Sequence, residues 1–419
     1  MQHSKIRSRL KAQLTRFSSE LTAGLRKPLR NFVGEMLFGI QASQDVKLSN
    51  IARSLQEDIP LLKTEDRLSR NLQAEELETH LRQGLLRLGS RRVQSHTVLC
   101  LDLSDVRKEY AREMEFLDQV WDGSAGEVHP GYWLCSVIGA EVHGSELTPL
   151  YQQLFSVRAE DFVSENDELL SAIDQLRAQT RGRGIWAMDR GGDRRKLLEP
   201  LLERRERFVI RSTGQRLVLD RRRHRVTIHH LSARCRLRYP AKIIKIENGQ
   251  EKMYQLRYGA EPFRLPGCEE PLLLVVVAGF GQEPLLLLTN LCGVRDSQSL
   301  WWIAQIYLTR WKIEETFRFV KQSYQLEDIR VMRYQRLKNL VLLMTAAAYF
   351  ATAFLGQKLK LKILCEKLLI ISQRFFGIPP FRFYALADGI CNILSRSSPS
   401  PPTDPPQIPQ LQLLLGWEA

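Results

Sequence analysis

The sequence predicts an α/β protein in which a strand-containing core lies between two helical regions. Three observations support this fold class. Apolar residues recur at helical spacing up to about residue 90 and again from residue 297. Short apolar runs bounded by polar residues, typical of buried strands, occur between residues 93 and 214. Strand-like pieces separated by Gly, Pro and Asn turns fill residues 215–296 and indicate a β-rich insertion.

The core is expected to begin with three strands. The first contains the run TVLCLDLSD at 97–105, which is too short for a helix, and the next two are predicted at 131–142 and 146–156. The following elements alternate between helix and strand: a helix at 165–179, a strand at 185–188, a helix at 194–204 and a strand at 208–211. This is the order of an RNase H-like fold without its last helix, which is expected at 297–324 after the insertion.

These patterns divide the chain into six predicted regions. Basic residues on the predicted helices at 45–72 suit a DNA-binding unit, although an ordinary helical bundle with solvated basic faces would give the same pattern. The regions are a helical DNA-binding region at 1–92, the first part of the core at 93–214, a β-rich insertion at 215–296, a helix that completes the core at 297–335, a helical C-terminal region at 336–396 and a Pro-rich tail at 397–419.

The composition is that of a globular protein with an excess of positive charge. Hydrophobic residues make up 44% and charged residues 26% of the chain, which excludes a disordered or a fibrous class. Lys and Arg number 61 against 47 Asp and Glu, a formal net charge of +14. Such an excess indicates a polyanionic partner, either nucleic acid or an anionic membrane surface.

The sequence gives no sign of export, of a membrane span or of a zinc site. Its seven cysteines form no CxxC pair, so we expect no structural zinc or disulfide framework but a reducing cytoplasm. His229 and His230, predicted on alternate faces of one strand, could not both bind one metal ion. No secretory signal follows the basic N-terminus. The apolar run at 340–355 is shorter than the ~18–20 residues that span a bilayer, which favours a buried helix.

Four polar residues of the predicted helix at 297–324 project from the same side. At about 100° per residue, Tyr307, Arg310, Glu314 and Lys321 fall within an arc of about 60°. A carboxylate flanked by two cationic side chains suits a metal ligand beside phosphate contacts, but an amphipathic helix with salt-bridged charges would look the same. Glu315 lies off this line, so Glu314 is the candidate carboxylate.

Two aspartates could join Glu314. Asp102 falls near the end of the first strand, and Asp189 directly follows the strand at 185–188. A lone Asp at a strand end usually caps a turn. Three converging carboxylates, however, would repel one another unless cations held them, and oxygen ligands favour Mg²⁺ or Mn²⁺. Two such ions about 3.5–4 Å apart can activate a nucleophile and stabilise the leaving oxygen in phosphodiester displacement.

Asp105 and Asp193 are the competing aspartates. Asp105 lies three residues after Asp102 and would point to the other face of a continuing strand. Asp193 is expected to be the N-cap of the next helix. We therefore favour Asp102 and Asp189.

The spacing Tyr-x2-Arg-x3-Glu-x6-Lys at Tyr307, Arg310, Glu314 and Lys321 resembles the signature of a large branch of bacterial insertion-sequence transposases of the DDE class. The surrounding segments agree with this. IYLTRWKIEETF resembles the third-carboxylate helix of that branch, WAMDRGGDRRKLLEPLLERRERFVIRS its second-aspartate region and TVLCLDLSDVRK its first. The resemblance covers about residues 45–334, including the β-rich block.

The resemblance implies a cut-and-paste DNA transposase with an RNase H-like catalytic core. Asp102, Asp189 and Glu314 would be the catalytic residues and the ligands of two Mg²⁺ or Mn²⁺ ions. Water would hydrolyse a phosphodiester at the end of the element, and the freed 3′-OH would attack target DNA in the same site.

The resemblance also implies partners. Tyr307, Arg310 and Lys321 would contact phosphates of the transposon end, and Arg211 is a weaker candidate for DNA contact. The expected partner is double-stranded DNA, both transposon ends and target, bound by a homodimer or a larger synaptic complex. The expected location is the bacterial cytoplasm, at the nucleoid when DNA is bound, with no membrane partner.

Two other functions are compatible with the sequence. The first is a catalytically silent derivative that acts as a repressor, and the presence of all three carboxylates counts against it. The second is an RNase H-like nuclease that does not transpose, and the helical N-terminal region and the Tyr-Arg-Glu-Lys helix favour end binding instead. The residue pattern does not specify the terminal inverted repeat, the target sequence or the excision intermediate.

Overall fold

The computed structural model describes residues 2–123, 126–144, 146–247, 250–293, 296–329, 331–370 and 383–395. The Pro-rich tail predicted at 397–419 lies outside the described residues. The helices are α1 (Gln2–Leu21), α2 (Lys27–Ser43), α3 (Leu48–Leu55), α4 (Leu61–Asn71), α5 (Glu76–Ser90), α6 (Glu165–Thr180), α7 (Arg195–Glu203), α8 (Ile228–Ala233), α9 (Ser297–Thr309), α10 (Trp311–Tyr324), α11 (Tyr334–Tyr349), α12 (Gln357–Ile370) and α13 (Phe383–Ser395).

The strands alternate with the middle group of helices. They are β1 (Val98–Arg107), β2 (Asp118–Asp122), β3 (Glu127–Ala140), β4 (Leu147–Phe155), β5 (Ile185–Met188), β6 (Phe208–Arg211), β7 (Leu217–Leu219), β8 (Arg225–Thr227), β9 (Tyr239–Glu247), β10 (Gln250–Phe263), β11 (Leu272–Ala278) and β12 (Leu285–Thr289).

Ten of these strands form one mixed sheet. Its order is β2-β3-β1-β5-β6-β12-β11-β10-β9, and β4 pairs with another part of β3. β1, β5 and β6 are parallel, whereas β3 runs antiparallel to both β1 and β4. The order β4-β3-β1-β5-β6, with α6 and α7 as connections, is that of an RNase H-like core. The predicted fold class is confirmed.

The central strands are buried on both faces. In β1, Val98 and Cys100 belong to a hydrophobic cluster that also contains residues of α9 and α10. Leu99 and Leu101 belong to a second cluster with residues of α6 and α7. Helices therefore cover both faces of the sheet, which explains the uninterrupted apolar run in this part of the sequence.

The predicted β-rich insertion continues the central sheet. β12 runs antiparallel to β6, with Leu288 opposite Ile210, and β11, β10 and β9 follow in turn. β7 and β8 form a separate two-stranded sheet. The strand expected around His229 and His230 is wrong, because β8 is followed at once by α8, whose cap residue Thr227 accepts a hydrogen bond from the His230 amide.

Helices from the two ends of the chain share one core. The Gln41 side chain of α2 donates to the Ala347 carbonyl at 2.7 Å. Asn339 of α11 donates to the carbonyls of Leu72 and Ala74, each at 2.9 Å. The aromatic ring of Phe17 in α1 lies 5.6 Å from that of Phe350. The first five helices therefore pack against the C-terminal helices and the sheet as one body.

The apolar run at 340–355 is a buried helix, as predicted. The segment Tyr334–Phe354 is long and apolar enough to cross a membrane, but 89% of its most apolar 18-residue stretch is buried inside the protein. It packs against β4 and the N-terminal helices.

Candidate active site

Asp102 and Asp189 lie side by side at one edge of the sheet. The parallel strands β1 and β5 are aligned with Cys100 opposite Ala187, and each aspartate lies two residues beyond its member of this pair. Because side chains alternate along a strand, both aspartates share the face of Cys100 and Ala187. This is the face covered by α9 and α10.

The helix that carries the Tyr-Arg-Glu-Lys signature is not continuous. The sequence predicts one helix at 297–324, but α9 ends at Thr309 and α10 begins at Trp311. The Arg310 amide donates to the Tyr307 carbonyl, three residues back, at 3.0 Å, which tightens the chain between the two helices. The Cys100 thiol of β1 lies 3.8 Å from the Thr309 carbonyl oxygen, so the junction lies directly over β1.

Arg310 bridges two of the three carboxylates. Its Nη1 is 2.8 Å from Asp102 Oδ2, and its Nη2 is 2.7 Å from Glu314 Oε1. The Arg310 side chain is 8% exposed. Burial opposes the charge on Arg310, but Asp102, Tyr307 and Glu314 together outweigh burial and raise the pKa of the guanidinium. Asp102 and Glu314 are thus held next to the same guanidinium, above β1.

The surroundings of Asp102 favour its neutral form. Burial raises the pKa of Asp102 to about 7, and the negative charges of Asp189 and Glu314 add to the increase, whereas the Arg310 guanidinium opposes it. The three carboxylates are therefore close enough to influence one another, and a cation at this point would relieve their repulsion.

The donor set fits a hard divalent cation. Asp102, Asp189 and Glu314 offer only carboxylate oxygens, the ligands that Mg²⁺ and Mn²⁺ prefer. Asp189 is held in place by the Gly191 amide, which donates to its Oδ1 at 2.7 Å. Among the described residues, no three His, Cys, Asp or Glu side chains are near enough to one another to hold a metal ion. In this arrangement Arg310 lies between Asp102 and Glu314.

The competing Asp105 is engaged elsewhere. Its Oδ2 lies 3.4 Å from Nζ of Lys321, which also pairs with Glu327 at 3.0 Å. Lys321 is thus held between the carboxylates of Asp105 and Glu327, and its side chain remains 21% exposed.

Asp193 also has partners of its own. Its carboxylate accepts hydrogen bonds from the Ser212 hydroxyl at 2.7 Å and the Thr213 amide at 3.1 Å, and it pairs with Arg216. The expected N-cap role of Asp193 is wrong, since α7 begins after Arg194 without a side-chain cap. The carboxylate instead ties the start of α7 to the chain that follows β6.

The remaining signature residues lie at different depths. Tyr307 is only 2% exposed, and its ring lies against Arg310, whose guanidinium carbon is 5.7 Å from the ring centre. Arg211 is the last residue of β6 and follows Ile210, the partner of Met188 in β5, so it lies beside Asp189. Of these residues, Arg310 contacts the carboxylates directly and Tyr307 packs against Arg310, whereas Lys321 pairs with Asp105 and Glu327.

Two lysines that the sequence patterns did not single out support this site. Lys108 is buried after β1, and its Nζ donates to the carbonyls of Leu326 at 2.8 Å and Glu327 at 3.0 Å. Lys312 donates to the carbonyls of Glu141 at 2.5 Å and Gly144 at 2.9 Å, which fixes the start of α10 on the β3–β4 turn. All four acceptors are backbone carbonyls far from the lysines in sequence, so local spacing carried no signal for either lysine.

Comparison with known proteins places the chain among DNA-rearranging enzymes. Residues 94–350 match the family model described as "Transposase DDE domain". One solved structure with a similar chain is described as "Cryo-EM structure of piggyBac transposase synaptic complex with hairpin DNA (SNHP)". The two chains are 12% identical, the match covers 94% of this chain and 84% of that chain, and the TM-score is 0.39. No curated protein matches the chain.

Proposed function

The chain belongs to the transposase DDE domain family, and we propose that this DNA transposase cuts and joins DNA at Asp102, Asp189 and Glu314. The observation that carries the proposal is the position of Glu314 and Asp189 next to Asp102. Asp102 and Glu314 bind the same guanidinium, and Asp189 lies beside Asp102 on the neighbouring strand. The engagement of Asp105 with Lys321 and of Asp193 with Arg216 leaves this set as the best candidate.

Asp102, Asp189 and Glu314 would hold a pair of Mg²⁺ or Mn²⁺ ions. When bound, such ions supply charge stabilisation for the attacking and leaving oxygens of a phosphodiester. The contribution of the chain is to keep three carboxylates on rigid elements, two on adjacent buried strands and one on α10. The burial of Asp102 strengthens its interaction with any cation.

The cationic residues around the carboxylates would position DNA. Arg310 lies between Asp102 and Glu314, Lys321 pairs with Asp105 on the same strand as Asp102, and Arg211 ends the strand beside the one that precedes Asp189. Tyr307 would act through Arg310, against which its ring packs. Double-stranded DNA, both the element's ends and the target, would be the substrate, bound by a dimer or larger synaptic complex in the cytoplasm.

The proposed reaction has two steps in one site. In hydrolysis at the element's end, the oxygen of water forms a P–O bond while the bond from phosphorus to the 3′ oxygen breaks, which leaves a 3′-OH and a 5′-phosphate. In the second step that 3′-OH loses its proton and forms a P–O bond to a target phosphate, while the bond to the target's own 3′ oxygen breaks and that oxygen leaves as a hydroxyl. Both steps displace an oxygen at phosphorus, so one arrangement of carboxylates serves both.

Cleavage assays on neighbouring carboxylates test this assignment. The wild type, Glu314→Gln and Glu315→Gln would be incubated with Mg²⁺ or Mn²⁺ and DNA that carries the element's ends. Glu315 is one residue from Glu314 but pairs with Arg318 on the exposed side of α10, so its variant is the matched control. We expect Glu314→Gln to lose cleavage at least about 100-fold while it still binds the ends, and Glu315→Gln to cleave normally.

Cleavage by Glu314→Gln at the wild-type rate would exclude Glu314 as a catalytic residue. End cleavage without joining to target DNA, in the wild type, would indicate a nuclease and not a strand transferase.

A further inference from the structure

The Arg310 side chain has an unusual position for a residue expected to bind DNA. It is 8% exposed, and two of its nitrogens pair with Asp102 at 2.8 Å and with Glu314 at 2.7 Å. Its third nitrogen, Nε, is buried and has no hydrogen-bond partner among the described residues. The ring of Tyr307 lies against the Arg310 guanidinium. In this conformation both terminal nitrogens of Arg310 are bonded to the carboxylates and little of the side chain is exposed for contact with DNA.

A guanidinium and a divalent cation cannot both lie between Asp102 and Glu314. Mg²⁺ holds its oxygen ligands at about 2.0–2.1 Å, so two ligands of one ion lie only about 3–4 Å apart. Here the facing oxygens of Asp102 and Glu314 are each bonded to a different nitrogen of Arg310, which fills the space between them. The positive charge of Arg310 also compensates the carboxylates that an ion would otherwise compensate.

We propose that Arg310 is a resident counter-ion, which stabilises Asp102 and Glu314 while no divalent cation is bound and turns away when cations enter. The proposal rests on the proposed function, because it takes these carboxylates to be the metal site. Once released, the guanidinium is free to bind a phosphate of the DNA end. Loading of metal and engagement of DNA by Arg310 therefore favour each other, and by thermodynamic linkage the coupling is reciprocal.

Binding of Mn²⁺ to the full chain without DNA tests this role. The wild type, Arg310→Met and Arg318→Met would be titrated with Mn²⁺ by calorimetry, with the free ion followed by electron paramagnetic resonance. Removing Arg310 removes both a competitor and a nearby positive charge, so we expect Arg310→Met to bind Mn²⁺ about tenfold more tightly than the wild type. A residue with a purely structural role would not tighten binding when it is removed.

Arg318→Met is the matched control. Arg318 lies on α10 and pairs with Glu315 on the exposed side, so the variant loses an ion pair without touching Asp102 or Glu314. Its Mn²⁺ affinity should stay within about twofold of the wild type. In chelator, Arg310→Met should unfold at a lower temperature than the wild type, and added Mn²⁺ should raise its melting temperature by more than that of the wild type.

Arg310→Lys keeps the proposal testable if Arg310→Met does not fold. A single ammonium has no planar fork with which to bond both carboxylates, so Arg310→Lys should bind Mn²⁺ more tightly than the wild type. If Arg310→Met folds, the affinity of Arg310→Lys should lie between those of the wild type and Arg310→Met. Equal or weaker Mn²⁺ binding in the Arg310 variants would overturn the proposal.

Asp102→Asn separates this inference from the function on which it rests. Loss of Mn²⁺ binding in Asp102→Asn, together with unchanged binding in the Arg310 variants, would remove only the counter-ion role. Unchanged Mn²⁺ binding in Asp102→Asn would show that the carboxylates are not the metal site, and both proposals would fall.

Discussion

Lys108 is a single residue whose burial has a measurable consequence. The residue is 3% exposed, and its Nζ donates to two backbone carbonyls, those of Leu326 and Glu327, in the turn after α10. Burial lowers the pKa of Lys108 to about 7, although the Glu327 carboxylate acts in the opposite direction. The neutral amine keeps enough N–H groups for both hydrogen bonds, so these contacts do not depend on its charge.

The stability contributed by Lys108 should change with pH. Between its lowered pKa of about 7 in the folded state and about 10.4 in an unfolded chain, the unfolded state binds one more proton than the folded state. The free energy of unfolding therefore rises as the pH increases from about 7 to about 10.4, by at most about 1.4 kcal/mol per pH unit. Lowering the pH through the same window lowers it by the same amount. In Lys108→Met this contribution is absent.

Urea unfolding of the wild type and Lys108→Met at pH 7, 8, 9 and 10 measures this contribution. We expect the difference in unfolding free energy to grow in favour of the wild type as the pH increases. A difference of the same size at every pH would mean that the Lys108 pKa is not lowered in the folded protein.

At the scale of elements, the turn after β5 holds Asp189 in place. The turn passes through Gly192, where an added Cβ would lie 2.7 Å from Met188 Cβ and 3.1 Å from Ile210 Cγ2. Met188 and Ile210 are paired residues of β5 and β6, so neither can move without disturbing the parallel pair. The close packing of this turn sets the direction in which the Asp189 carboxylate points.

A methyl group at Gly192 should disturb both the fold and the site. We expect Gly192→Ala to lower the free energy of unfolding by about 1–3 kcal/mol, the usual cost of overpacking, and to reduce DNA cleavage more than end binding. Gly281→Ala is the control, because an added Cβ at Gly281 meets no atom within 4 Å. Calorimetry and cleavage assays on both variants provide the measurement. A Gly192→Ala variant as stable and active as Gly281→Ala would contradict this account of the turn.

Several elements of the core could be predicted from local pattern. The strands expected at 185–188 and 208–211 are β5 (Ile185–Met188) and β6 (Phe208–Arg211), with the same ends. Short buried strands between polar residues have sharp boundaries in sequence, which explains this agreement. β2 (Asp118–Asp122) was not predicted, because its charged ends and mostly polar residues resemble a loop.

At the scale of the whole molecule, the two ends of the chain are joined by a common core. Phe17 of α1 is fully buried, and its ring lies within 6 Å of the rings of Tyr349, Phe350 and Phe354. A substitution that loosens the packing of α1 should therefore also destabilise the C-terminal helices and, through them, the sheet.

Hydrogen exchange measures this connection. Phe17→Ala should destabilise the protein by about 3–5 kcal/mol, as expected for a large core residue, and should speed amide exchange in α11 as well as in α1. Arg9→Ala, on the exposed side of α1, should leave exchange in α11 unchanged. Faster exchange confined to α1 in Phe17→Ala would mean that the N-terminal helices open independently of the rest.

Periodicity, short apolar runs and the spacing of four signature residues were sufficient to predict the fold class, the order of the core elements and the candidate carboxylates. These features depend on contacts within a few residues, and a helix or strand repeats them along the chain. Other features required the folded chain. The pairing of β12 with β6, the contact of Lys108 with Leu326 and the contact of Arg310 with Asp102 each join residues from about 80 to more than 200 positions apart. Only packing brings such residues together, so no local pattern in the sequence records them.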